Sequence, residues 1–249
     1  MPAPVVAQLT LANGQLLNYQ VRESARARYL RMQISAHHGL VVTRPEGVTQ
    51  AELEQWVASK TNWISKQLAQ LAPQQNTEPE YPPSTVTLRA LQQQFTVHYQ
   101  RQTEQPKLTL RCTPETQQLL LQGPTDQHTL CNQVLRQWLQ AYAKAHLGQW
   151  LQQAAQTTGL SFSRYRVKGQ KSRWGSCSSQ GTINLNYKLL FLPPAWVHYT
   201  LVHELCHTIE MNHSERFWAL VEQFVPDYRA INQAMRHSAP YIPSWADKD

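Results

Sequence analysis

At 249 residues the chain has room for one large domain or two modest ones, each with a real core. Apolar residues make up 41% and charged residues 16%, which excludes a disordered chain. A net charge of +7 leaves an anionic partner such as nucleic acid open, but no block of five or six like charges argues for one.

The four cysteines, Cys112, Cys131, Cys177 and Cys206, form no C-x-x-C pair, and the chain is too long for a disulfide-stapled miniature. The opening MPAPVVAQLTLANGQ lacks the basic and apolar regions of a secretory signal, and no apolar run approaches membrane-spanning length. The expectation is a cytoplasmic protein with reduced thiols and no membrane partner.

In chain order, VVAQLTL and QLLNYQV flank Asn13-Gly14 and read as a hairpin, since Asn-Gly suits a type I′ turn. YLRMQIS and LVVTRP flank His37, His38 and Gly39 and read as a second hairpin. Thr49 and Glu52 form a capping box, and apolar residues from Leu53 to Leu71 keep helical spacing, so one helix is predicted to Ala72. Residues 73–84 are rich in proline and polar residues and read as a linker. Four strand candidates follow (TVTLRA, FTVHYQ, KLTLRC, QLLLQG), then a long helix from about Thr125 to Gly159. No internal repeat is legible, although the two β-rich segments resemble versions of one meander.

Beyond Gly159 come a strand, SFSRYRVKGQ, then a loop RWGSC from Arg173 to Cys177, and an alternating strand from Gly181 to Tyr187. Pro193-Pro194 suits the first turn of a helix, where a missing N–H costs nothing. That helix carries His203, Glu204 and His207. The two histidines are i and i+4, so both imidazoles leave one face and can hold two corners of a tetrahedral zinc site. Glu204, one residue on, stands where a general base for a metal-activated water belongs.

A third protein ligand is needed. On a straight helix His213 would be turned by about 600°, onto the wrong face. The helix must therefore end first, and Met211-Asn212 is the expected break, since asparagine tolerates the left-handed conformation of helix ends. Ser214 then caps a helix with Phe217, Leu220, Val221 and Phe224 as its core stripe. Glu210 competes as third ligand and ranks below His213. An additional donor for the tetrahedral intermediate is sought among Arg173, Tyr187 and Tyr228. Asn184 and Asn186 share one face of their strand, and an edge strand there would pair with a substrate backbone. Cys177 falls near the motif, and Cys206 should pack behind it.

Residues 171–218 carry W-G-S-C-S, I-N-L-N, H-E-L-C-H and H-S-E-R-F-W in that order. Together they closely resemble the bacterial YgjP-like metallopeptidase domain, a relative of the SprT-like zincins. The resemblance implies zinc at His203, His207 and His213, with Glu204 as catalytic acid/base. It also implies an α+β fold: a zincin-like metallopeptidase domain over 125–249, core about 160–236, after β-rich segments at 1–72 and 85–124. The expected function is zinc-dependent hydrolysis of peptide or protein substrates. Two other classes stand beside it: a zinc-stabilised nucleic-acid-binding protein with little turnover, and a zinc amidase on a non-protein amide. Basic residues at Arg22, Arg26, Arg28 and Arg31, and from Arg164 to Arg173, leave the nucleic-acid partner open.

Overall fold

The computed structural model describes residues 5–11, 14, 16–25, 27–35, 39–71, 82–102 and 106–247. Asn13, His37, His38 and most of the expected linker lie outside the described residues. The fold is α+β, and the chain divides into two compact units, Met1–Glu78 and Pro79–Asp249.

The first unit contains β1 (Val5–Thr10), β2 (Leu16–Ser24), β3 (Arg31–Ser35), β4 (Gly39–Pro45), α1 (Gln50–Ser59) and α2 (Thr61–Leu71). Its sheet has the order β1-β2-β4-β3. The outer pairs are antiparallel and the central β2–β4 pair is parallel. Alternation turns Tyr19 and Val21 of β2 and Leu40 and Val42 of β4 inward, where they share a core with Leu53, Val57 and Ile64. The Thr49–Glu52 capping box is formed. The single helix expected to Ala72 is instead divided at Lys60, whose ψ is 9°. Hydroxyls on either side compete with the helical ladder there: Ser59 donates to the Trp56 carbonyl and Thr61 to that of Ala58.

The second unit opens with β5 (Thr85–Leu88), β6 (Gln93–Arg101), β7 (Thr109–Thr113) and β8 (Gln118–Gly123). These strands pair in the order β5-β6-β8-β7, again with a parallel centre and antiparallel flanks. Each sheet is followed by a helix, so a four-strand-plus-helix pattern occurs twice. It is no meander, because the fourth strand enters between the second and the third.

The helix after β8 is α3 (His128–Thr158), closed by Gly159 in the left-handed conformation at φ 71°. Leu135, Leu139, Ala143, Leu147 and Leu151 form its buried stripe. Trp138 and Tyr142 meet Phe95 of β6 edge to face at 5.3 and 5.6 Å. A three-stranded sheet follows, made from β9 (Arg164–Lys168), β10 (Gly175–Cys177) and β11 (Thr182–Asn186) in the order β10-β11-β9. Helices α4 (Pro194–Cys206), α5 (Glu215–Phe224) and α6 (Tyr228–Met235) complete the unit. One continuous core runs from Val86 to Ala246, so the second four-stranded sheet, α3 and the C-terminal helices are packed as one body.

Candidate metal centre

Helix α4 starts with Pro194 in its first turn and carries His203 and Glu204 near its end. It stops at Cys206, one turn earlier than the expected break at Met211-Asn212, with His207 as C-cap at φ −66°, ψ −14°. Tight turns continue from there: Thr208 and Ile209 donate to the Leu205 and Cys206 carbonyls, and Thr208 Oγ1 also bonds Leu205 O at 2.7 Å. The chain then reverses, and Ser214 caps α5 by accepting from the Phe217 N–H. The reversal carries His213 back over α4.

The result is a convergence of three imidazoles. Nε2 of His203 lies 3.2 Å from Nε2 of His207 and 3.1 Å from Nε2 of His213. A tetrahedral ion with metal–nitrogen bonds of ~2.0 Å needs donors about 3.3 Å apart. Among the described residues, these three are the one group of three or more His, Cys, Asp or Glu whose ligand atoms gather within 4.8 Å. Glu210, the competing third ligand, is not in that group, but its backbone carbonyl is 3.0 Å from His207 Nδ1. That bond holds the His207 tautomer with Nε2 facing its neighbours. Tyr199, one turn before His203, places its hydroxyl 3.3 Å from His203 Nδ1. Sequence reading passed over Tyr199, although its i−4 relation to His203 was visible.

Phe217 is a common floor, with ring centroids 4.9, 4.3 and 4.9 Å from those of His203, His207 and His213. Trp218 stacks on His213 at 5.4 Å and 25°. Burial, then the neighbouring His207 and His213, pull the His203 imidazole down to about 3. Burial also lowers His207. Neutral imidazoles are the form that binds a metal, so the donor set fits a divalent ion.

Glu204 is 4% exposed, and its Oε2 is buried with no hydrogen-bond partner. Burial pushes its carboxyl up to about 8, with Arg173 pulling the other way. A Cβ at Gly175 would sit 2.4 Å from Glu204 Oε1 and 2.6 Å from its Cγ. The glycine of RWGSC therefore makes room for the carboxylate. Glu204 and the three histidines line a cleft of about 510 Å³ together with Arg173, Gly175, Cys177, Tyr199 and Met211.

Of the other expected contacts, Arg173 is at this cleft. Tyr187 is not among its lining residues: it is buried, and its hydroxyl donates to the Ala246 carbonyl at 2.8 Å. Tyr228 is 5% exposed beneath Trp218 and lines an adjoining pocket instead. The edge-strand expectation for Asn184 and Asn186 is corrected, because β11 is the middle strand, with β10 and β9 outside it. Asn184 donates to Ser176 Oγ. Asn186, buried, donates to the carbonyls of Gln170 and Arg173, so it holds the loop before β10. Cys206 is fully buried behind the site. Arg164, Arg166 and Lys168 form an exposed face of β9.

The family model described as YgjP-like, metallopeptidase domain, matches residues 28–238. The chain belongs to that family. It is accordingly a metal-dependent peptidase acting on peptide or protein substrates, and the YgjP-like region spans parts of both compact units. The crystal structure of the metallopeptidase zymogen of Pyrococcus abyssi abylysin is similar at 26% identity, covering 37% of this chain and 93% of that one, with a TM-score of 0.34. That of Methanocaldococcus jannaschii jannalysin is similar at 18% identity, covering 37% and 95%, also at 0.34. No curated protein matches the chain.

Proposed function

We propose that this YgjP-like chain is a zinc peptidase in which His203, His207 and His213 hold one Zn²⁺ and Glu204 is the general base. The observation that carries the reading is the buried Glu204 carboxylate, without a protein partner on Oε2, in the same cleft as three convergent Nε2 atoms. When bound, the ion would supply Lewis-acid polarisation of the scissile carbonyl and acidify a water.

The chain's own residues do the rest. Tyr199 and the Glu210 carbonyl orient the first two imidazoles. Gly175 admits the Glu204 carboxylate to the cleft wall. Glu204 accepts the water's proton and hands it to the departing amine. Arg173, the cation facing Glu204, favours its charged form and is our choice for the donor beside the developing oxyanion. The outer strand β10 takes the role first expected of β11, offering backbone groups along the cleft to an extended peptide. The cysteines are free thiols, and among the described residues no helix is long and apolar enough to cross a membrane. We place the protein in the cytosol on the strength of the thiols.

Glu204→Gln tests the reading. Peptide hydrolysis should fall by about 10²–10⁴ while bound zinc, measured by metal analysis, stays at one equivalent. A variant that hydrolyses peptides at the wild-type rate would remove Glu204 from the mechanism.

A further inference from the structure

A second cavity of about 280 Å³ adjoins the catalytic cleft, and Asn232 lines both. Its wall is a continuous stack that begins at a metal-site histidine. His213 lies on Trp218 (5.4 Å), Trp218 on Tyr228 (5.2 Å, 10°), and the Arg229 guanidinium over the Tyr228 ring at 5.3 Å. Arg229 Nε also donates to the Tyr228 hydroxyl at 3.1 Å, which fixes the guanidinium against the wall. Arg236, at the C-terminus of α6, lines the same cavity. Among the described residues no acidic side chain lines it. Glu222 is not a lining residue, but its Oε1 stands 3.6 Å from a terminal nitrogen of Arg229, so a substrate carboxylate shares that guanidinium with it.

The geometry points to a carboxylate-binding subsite of the peptidase, formed by Arg229 and Arg236, that selects acidic substrates. It rests on the peptide-cleaving reading of the adjoining cleft. A peptide seated against the three histidines continues past Asn232 into this cavity. There a glutamate or aspartate side chain, or a free C-terminal carboxylate, meets two cations against an aromatic wall. Arginine suits the task because its planar fork matches a carboxylate, and the Tyr228 ring holds one fork in place before substrate arrives.

The test uses the full-length, zinc-loaded chain. Peptide pairs differ only by Glu against Gln at successive positions, each made with an amide and with a free C-terminus. Binding is read by fluorescence anisotropy on Glu204→Gln, and turnover on the otherwise wild-type chain. We expect a 5- to 10-fold preference for the acidic partner at low salt, the size of two partly exposed charge pairs. The preference should shrink towards one in Arg236→Gln. That position is exposed, so folding is not at issue. In Arg236→Glu it should invert towards lysine peptides. The Glu/Gln arm and the acid/amide arm distinguish a side-chain carboxylate from a chain end. Equal binding of both partners in both arms, or a preference that survives Arg236→Gln and Arg229→Gln together, overturns the subsite. So does a single-stranded oligothymidylate that binds through Arg236 more tightly than any peptide. Charge selection in binding without hydrolysis by the otherwise wild-type chain would instead sink the peptidase reading alone.

Discussion

Gly175→Ala isolates the placement of Glu204 from its chemistry. The added Cβ would stand 2.4, 2.6 and 2.7 Å from Oε1, Cγ and Cδ of Glu204. Ordinary carbon contacts begin near ~3.5 Å, so the carboxylate must move by about 1 Å. A small rotation of the tip does not suffice, because Cγ and Cδ clash as well. Gly175 has no left-handed φ, so the backbone itself accepts alanine. A 1 Å misplacement of a catalytic group costs on the order of 10²-fold in rate, or about 2.7 kcal/mol of barrier. The overpacking should take about 1–3 kcal/mol from folding stability. The assay is kcat/KM on a peptide beside zinc content and Tm: turnover should drop about 10²-fold with zinc retained. Near-wild-type turnover would show that β10 yields freely or that Glu204 does not act from this position, and zinc loss in proportion to activity would make the effect structural.

Three further outcomes are expected. Tyr199→Phe removes the hydroxyl at His203 Nδ1 and should weaken zinc binding about 10-fold or more, read by chelator competition, with little change in Tm. Asn186→Ala strips the donors from two carbonyls before β10 and should cost about 2–3 kcal/mol in unfolding by denaturant, whereas Asn184→Ala, which loses one long bond to Ser176, should cost under about 1 kcal/mol. Hydrogen bonds from Thr49, backbone first, hold the Glu52 carboxyl below its ordinary 4.5. A depressed folded value means stability present above the unfolded value and lost as pH falls through the folded one, so residues 1–78 should melt earlier below pH 4.5, an acid-side loss that circular dichroism should find flattened in Glu52→Gln.

How far the sequence carried depended on the range of the interaction. His203, Glu204 and His207 are local helix geometry: the i, i+4 spacing brings the two imidazoles to one face and sets Glu204 on its flank. His213 was reached by excluding a straight helix, yet the position of the turn was missed. The α4 ladder ends at Cys206 because the Thr208 hydroxyl and the His207 imidazole both bond nearby carbonyls, a contest invisible in apolar periodicity. The glycine of RWGSC suggests a close backbone approach beside the cleft, but not what approaches, since that is a carboxylate 29 positions further along the chain. The repeated strand order escaped for a similar cause. Alternation tells which face is buried, but not that β4 and β8 each enter between two earlier strands. The Tyr187 hydroxyl is spent on the Ala246 carbonyl, and that of Tyr228 accepts from Arg229 Nε beside the second cavity, pairings that no local pattern reveals.

The Phe217 ring touches all three imidazoles at once. One aromatic plane thus acts as a jig on which three separately encoded side chains are set, and it belongs to α5, which supplies no ligand of its own. The spacing of the three nitrogens is therefore set in part from a helix that contributes none of them.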